Sequence, residues 1–168
     1  LSIFLTNFDL FGDEAQYWLW SKDIDFGYYS KPPFLSWIVG VVCYFFGDSF
    51  FVIKMIPVIT YCLTAFIIYQ ISLKLFKDAH LALLTAVSFF LMPAVTVSSF
   101  LLSTDIFLIL FWSLALLQIL IIIEKPVFLN FIVLGIFVGI GLLTKYAGVY
   151  FIICFPFLLF EKKFRMFF

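Results

Sequence analysis

Residues 50–73 read FFVIKMIPVITYCLTAFIIYQISL, and Lys54 is the one charge in the run. A helix needs about 20 mostly apolar residues to cross the hydrocarbon core of a bilayer. Over the whole chain of 168 residues, 65% are hydrophobic and 12% are charged, whereas soluble domains usually contain about 25% charged residues. This composition predicts an integral membrane protein. It excludes a soluble enzyme, a disordered tail and a nucleic-acid-binding protein.

Apolar runs of similar character follow this one along the chain. The predicted spans are Phe50–Leu73, Leu81–Leu101, Ile106–Ile123, Val127–Leu143 and Ala147–Phe160. Residues 1–8 are predicted to end an earlier span, and Phe34–Phe46 is short enough to lie along the membrane surface. We therefore expect an all-α, polytopic membrane protein in which residues 9–49 form a loop with interfacial helices, followed by five spans in residues 50–160. The start at Leu1, inside an apolar run, suggests an N-terminal piece of a longer protein.

Charge placement favours the flat orientation of Phe34–Phe46 over a crossing one. With the flat helix, six of the ten basic residues share one side: Lys74, Lys77, Lys125, Lys162, Lys163 and Arg165. Seven of the ten acids share the other: Asp9, Asp13, Glu14, Asp23, Asp25, Asp48 and Asp105. A crossing helix sorts the charges less well. Because an excess of Lys and Arg marks the cytoplasmic side, the loop 9–49 is predicted to be extracytoplasmic.

The polar segment 9–33, DLFGDEAQYWLWSKDIDFGYYSKPP, contains the residue types that chemistry at a lipid headgroup needs. Asp13 comes directly after the expected first span, where its carboxylate could face a cavity at the membrane boundary. Lys31 precedes two prolines that favour an extended turn, so its ammonium could meet a lipid phosphate. The alternative is a solvated acidic loop with an aromatic belt and a lysine that extends toward water.

Two further charges are predicted on the same side of the membrane. Asp105 starts a span after Ser103-Thr104, where the helix dipole alone would favour a carboxylate. Lys145 lies between two spans, against the positive-inside bias, and an anionic headgroup would account for it. Lys54 shares this unusual placement more weakly.

Four stretches give the chain a resemblance to membrane glycosyltransferases of the GT-C class. They are GDEAQYWLWSKDIDFGYYSKPPFLSWIVG at 12–40, FGDSFFVIKMIP at 46–57, STDIFLILFW at 103–112 and GLLTKYAG at 141–148. They occur in the order and spacing of the bacterial relatives of the protein O-mannosyltransferases and of the aminoarabinose lipid A transferases. The first is the most specific, since an Asp-Glu pair and a later x-Pro-Pro turn are the family signature.

The resemblance implies roles for Asp13 and Lys31, and the chemistry of the reaction suggests roles for Lys145, Glu14 and Asp105. Asp13 would be the catalytic residue that activates the acceptor, and Lys31 would approach the phosphate of a polyprenyl-phosphate sugar donor. Lys145 would assist at the phosphate, while Glu14 and Asp105 would bind the acceptor or the sugar. Ser30 stands where the aminoarabinose transferases have Glu. We therefore assign no metal or other cofactor, and leave a divalent metal as an alternative.

The predicted function is sugar transfer from a polyprenyl-phosphate donor to lipid A, another glycan or a protein. We expect the reaction on the extracytoplasmic side of a bacterial inner membrane. The expected partners are the donor, the acceptor and membrane lipids, with no nucleic acid. One alternative is a transporter or flippase, but such proteins place charges along a pathway through the membrane. In this chain the charges gather at the predicted membrane faces. The other alternative is an inactive fragment of a transferase.

Overall fold

The computed structural model describes residues 12–160, with side chains through Cys154, and this part of the chain forms helices and no strand. This confirms the predicted all-α fold class. The predictions for residues 1–8 and for Lys162, Lys163 and Arg165 lie outside the described residues. The helices are α1 (Gly12–Trp20), α2 (Phe34–Phe46), α3 (Phe50–Phe76), α4 (Ala79–Leu91), α5 (Pro93–Ser98), α6 (Thr104–Glu124), α7 (Phe128–Thr144) and α8 (Val149–Phe160), with a 3₁₀ turn at Tyr146–Gly148 before α8.

Two parallel helices form the centre of the bundle. Among the described residues, α3 with 27 residues and α6 with 21 are long and apolar enough to cross a membrane. Lys54, near the start of α3, contacts the turn that leads into α6, and Lys74 near the end of α3 pairs with Glu124 at the end of α6. Both helices therefore begin at the same end of the bundle. At about 1.5 Å per residue, α3 is about 40 Å long.

The helix predicted over 81–101 is instead two helices. The chain leaves helical geometry at Met92 (φ −63°, ψ 125°), and α5 begins at Pro93. Proline lacks an N–H and its ring clashes with the preceding turn, so the residue before it adopts an extended conformation. The shorter apolar helices α2, α4 and α7 have 10–17 residues. Helix length therefore leaves the number of spans a prediction, whereas α2 begins and ends at its predicted residues.

The core joins α1 and α2 to the two long helices. Tyr17, Leu35, Val39, Ile53 and Ile106 are each at most 2% exposed and belong to one hydrophobic cluster. Packing of these side chains against one another connects the four helices. As a result, α1 is held against the end of the bundle where α3 and α6 begin.

The glycines of α7 and of the turn after it differ in how closely they approach other parts of the chain. In the described structure, a Cβ added to Gly135 or Gly139 would meet nothing within 4 Å, and one added to Gly141 would make an ordinary 3.6 Å contact with Phe111. A Cβ at Gly148 would lie 3.0 Å from the carbonyl carbon and oxygen of Gly141. Gly148 is therefore the glycine that allows the 3₁₀ turn to pack on α7.

Candidate active site

Asp13 lies in the first turn of α1, where the helix dipole favours a carboxylate. Its side chain is exposed, and its Oδ2 accepts a hydrogen bond of 2.9 Å from Lys31 Nζ. The ammonium of Lys31 also lies 4.7 Å from the centre of the Tyr17 ring. Because Tyr17 is 1% exposed, the ring gives Lys31 a rigid aromatic surface against which to pack.

The loop that presents Lys31 is held by its aromatic residues. The Tyr28 hydroxyl donates to the carbonyls of Trp20 and Asp23, at 2.8 and 2.9 Å. The rings of Tyr28 and Trp20 stack with their centres 4.7 Å apart. The Trp37 indole donates to the carbonyl of Asp25 at 2.9 Å, which ties the loop to α2. These contacts hold the loop in place, although it contains no regular secondary structure.

Hydrogen bonds that Lys31 donates to neighbouring side chains favour its charged form. Partial burial lowers its pKa, but the hydrogen bonds to Tyr17 and Asp13 and the negative charge of Asp13 raise it by more. The net result is a pKa above the usual value for lysine. Lys31 is therefore a cation throughout the physiological range.

A second ion pair lies at the start of α6. Asp105, in the first turn, accepts a 2.6 Å hydrogen bond from Lys145 Nζ. Lys145 follows the end of α7 in extended conformation (φ −156°, ψ 137°), which directs it back toward α6. The pairing gives Lys145 a partner on this side of the bundle, and it is one that the sequence analysis did not foresee.

A cavity of about 420 Å³ lies between these two ion pairs. It is lined by residues from α1, from the loop before α2, from the start of α6 and from the turn after α7. These residues are Asp13, Tyr17, Ser30, Lys31, Pro32, Ser103, Thr104, Asp105, Lys145, Tyr146 and Ala147. Four of the five predicted site residues therefore line one cavity, although they are far apart in the sequence.

The fifth, Glu14, lies in a different environment. It is 1% exposed and does not belong to the cavity lining. Lys54 Nζ donates to both of its carboxylate oxygens, at 2.7 Å each, and the backbone N–H of Leu102 donates to Oε1 at 2.7 Å. Direct substrate binding by Glu14 stays a prediction, and this geometry does not favour it.

Sequence reasoning missed the part that Lys54 and Tyr17 play. The sequence marks Lys54 only by its placement against the charge bias, and it gives Tyr17 no individual role. The sequence signal for Lys54 was a single charge near the start of an apolar helix. A charge in that position needs an oppositely charged partner. Among residues 12–160, no group of three or more His, Cys, Asp or Glu side chains is arranged to hold a metal ion.

Comparison with known proteins identifies the family of the chain. The family model for dolichyl-phosphate-mannose-protein mannosyltransferases matches residues 30–168. A lipid A galacturonosyltransferase of Rhizobium johnstonii is 33% identical over 140 residues, which are 83% of this chain and 29% of that protein. An undecaprenyl phosphate-alpha-4-amino-4-deoxy-L-arabinose arabinosyl transferase of Wigglesworthia glossinidia brevipalpis is 28% identical over 130 residues, 73% of this chain and 22% of that protein. No solved structure matches the chain significantly.

Proposed function

We propose, since the chain belongs to the dolichyl-phosphate-mannose-protein mannosyltransferase family, that it forms part of an enzyme that transfers a sugar from a polyprenyl-phosphate donor. The observation behind this proposal is the cavity in which two carboxylates and two lysines face each other at the start of α6. The chain spans less than a third of the length of the two relatives it matches, so the remaining spans would complete the enzyme.

The phosphate of the donor would bind beside Lys31 and Lys145, at the N-terminus of α6. The first N–H groups of a helix have no partner within the helix, and they attract anions together with the helix dipole. Ser103, at the N-cap position of α6, makes no side-chain capping bond, and it lines the cavity with Thr104. Two ammonium groups, two hydroxyls and a helix N-terminus thus surround one position.

Asp13 would act as the general base. The acceptor hydroxyl would give its proton to the carboxylate while its oxygen bonds to the anomeric carbon of the sugar. The bond between that carbon and the phosphate oxygen breaks, and the polyprenyl phosphate leaves with the electron pair. The lysines would stabilise the added negative charge of the leaving phosphate, and Asp105 would orient Lys145 and the sugar.

The Lys31–Asp13 contact connects donor binding with activation of the base. Lys31 Nζ lies 2.9 Å from Asp13 Oδ2. A phosphate bound at Lys31 would compete for the ammonium and leave Asp13 available to the acceptor. Donor binding would then precede activation of the acceptor.

The names of the relatives support a proposal for the acceptor class. One is named for transfer to lipid A, and the other for an undecaprenyl-phosphate sugar donor. We infer a lipid acceptor of the lipid A class, ahead of a glycan or protein. We also infer a multi-pass protein of a bacterial inner membrane whose residues 9–49 lie outside the cytoplasm. No observation in the described residues favours the transporter alternative, since the charges gather at the ends of α3 and α6 and Lys54, near the start of α3, is paired.

The test compares two carboxylates of the polar segment 9–33, Asp13 and Asp23, in the full-length protein. Asp13→Asn should lower the rate of sugar transfer from an undecaprenyl-phosphate sugar to lipid A in proteoliposomes by about 100-fold or more, since general base catalysis supplies 10²–10⁴. Asp23→Asn is the matched control, because Asp23 is exposed and does not line the cavity. Transfer by Asp13→Asn at the rate of the control would refute the proposed role of Asp13.

A further inference from the structure

A buried ion pair lies directly behind the cavity. Glu14 is 1% exposed and the Lys54 side chain is 7% exposed. An ion pair this deeply buried survives only with good geometry and with further hydrogen bonds to both partners. Both conditions are met, because Lys54 Nζ binds both Glu14 oxygens and also donates to the carbonyl of Phe100 at 2.8 Å.

The pair connects the two segments that bear the cavity carboxylates. Glu14 is the neighbour of Asp13 on α1. Leu102, whose N–H donates to Glu14, lies three residues before Asp105. Lys54 adds a contact from α3 to Phe100, in the same turn. The Glu14 carboxylate and the Lys54 ammonium thereby hold α1, α3 and the turn before α6 in one arrangement.

We infer that Glu14 and Lys54 are positioning residues that set the separation of Asp13 and Asp105 across the cavity. This inference rests on the proposed function. Neither residue touches substrate, and each acts through a neighbouring segment. The two lysines of the cavity lie on other segments, Lys31 in the loop before α2 and Lys145 after α7. Loss of the pair should therefore disturb the base more than donor binding.

A double variant separates positioning from charge burial. Lys54→Met alone leaves the buried Glu14 carboxylate without the Lys54 ammonium. This single variant should therefore unfold more readily and lose activity. Glu14→Gln with Lys54→Met removes both charges, and the amide oxygen can still accept from Leu102. The double variant should recover stability, but the ammonium contact to Phe100 is gone. We expect kcat to fall about 10- to 100-fold, because small misplacements of reacting groups have effects of this size.

The split between kinetic constants identifies a positioning role. In the double variant the KM for the polyprenyl-phosphate sugar should stay within about threefold of the wild-type value, since ground-state binding is retained. Lys74→Met with Glu124→Gln is the matched control, because this exposed pair joins the far ends of α3 and α6. It should leave both constants unchanged. A wild-type kcat in the double variant would overturn the inference. So would a raised donor KM at unchanged kcat in Glu14→Gln, since Glu14 would then bind the donor.

A distance measurement keeps the inference separate from the proposed function. Spin labels at Leu19→Cys on α1 and Val97→Cys on α5, both exposed positions, report the separation of the two segments in full-length protein without native cysteines. We expect a narrow distance distribution with the pair intact and a broader one in the double variant. An unchanged distribution would overturn the inference. Failure of the unsubstituted protein to transfer sugar would refute the proposed function, and the distances would still decide whether the pair positions α1.

Discussion

Replacing Gly148 by Ala tests whether the turn after α7 sets the position of Lys145. The added Cβ would lie 3.0 Å from the Gly141 carbonyl carbon and oxygen and 3.1 Å from the Leu142 nitrogen. These are backbone atoms of α7 and cannot rotate away, so the 3₁₀ turn must shift. Overpacking of this kind costs about 1–3 kcal/mol. The shift passes to Lys145, because the Gly148 N–H donates to the Lys145 carbonyl at 2.8 Å.

The expected result is a joint loss of stability and transfer. The free energy of unfolding in mixed micelles should fall by about 1–3 kcal/mol. The kcat/KM for sugar transfer should fall about tenfold, since Lys145 would be displaced from its 2.6 Å contact with Asp105. Gly135→Ala on α7 is the control, because its Cβ meets nothing within 4 Å in the described structure. Alanine there should be neutral or should stabilise the helix by up to about 1 kcal/mol. Equal stability and activity of the two variants would refute the reasoning.

Two further predictions concern pH. Partial burial lowers the folded-state pKa of Lys31, but its hydrogen bonds to Tyr17 and Asp13 raise it by more, so the net pKa is raised. The stability that Lys31 contributes is therefore complete below its unfolded-state pKa and is lost as pH rises through its folded-state pKa. The difference in unfolding free energy between wild type and Lys31→Met should thus be constant from pH 7 to 9 and shrink above about pH 10.4; a decline already at pH 8 would contradict it. Hydrogen bonds from Lys22 and Trp18 lower the folded-state pKa of the exposed Asp48. The stability that Asp48 contributes is therefore present above its unfolded-state pKa and is lost as pH falls through the lowered folded-state pKa. Asp48→Asn should leave the unfolding midpoint nearly unchanged at pH 7, as exposed pairs contribute little, and any difference from wild type should vanish in acid; a large loss at pH 7 would count against this assignment.

The helical class and the residues of the cavity were accessible from the sequence because composition and charge are strong signals in a membrane chain. Long apolar runs predicted α3 and α6 closely, since Lys54 is the one charge in residues 50–73 and residues 106–123 contain none. Pro93 divided the run at 81–101, which overall hydropathy does not register. The sequence also grouped Asp13, Lys31, Asp105 and Lys145 on one side, and the structure brings these four together around one cavity.

The partners of these charges could not be predicted, because they depend on how the helices pack. Lys31 and Asp13 are 18 residues apart, and Lys145 and Asp105 are 40 apart. Asp13 and Glu14 are neighbours on α1, and successive residues of an α-helix point about 100° apart. One carboxylate therefore faces the cavity and the other faces the core. Which of the two does so is decided by the side on which α3 lies, and no local pattern contains that information.

The parallel arrangement of α3 and α6 explains why charges so distant in sequence meet at one end. Both helices begin there, so their N-terminal turns together produce a positive potential that favours anions. Asp13 and Asp105 pair with Lys31 and Lys145, so the four formal charges of the cavity sum to zero. A phosphodiester would bring one negative charge to the helix N-terminus and compete with the carboxylates for the lysines. In the proposed reaction, the ion pairs of the cavity would be exchanged for contacts with the phosphate when the donor binds. The buried Glu14–Lys54 pair lies outside the cavity lining and would hold α1, α3 and the turn before α6 in place during that exchange.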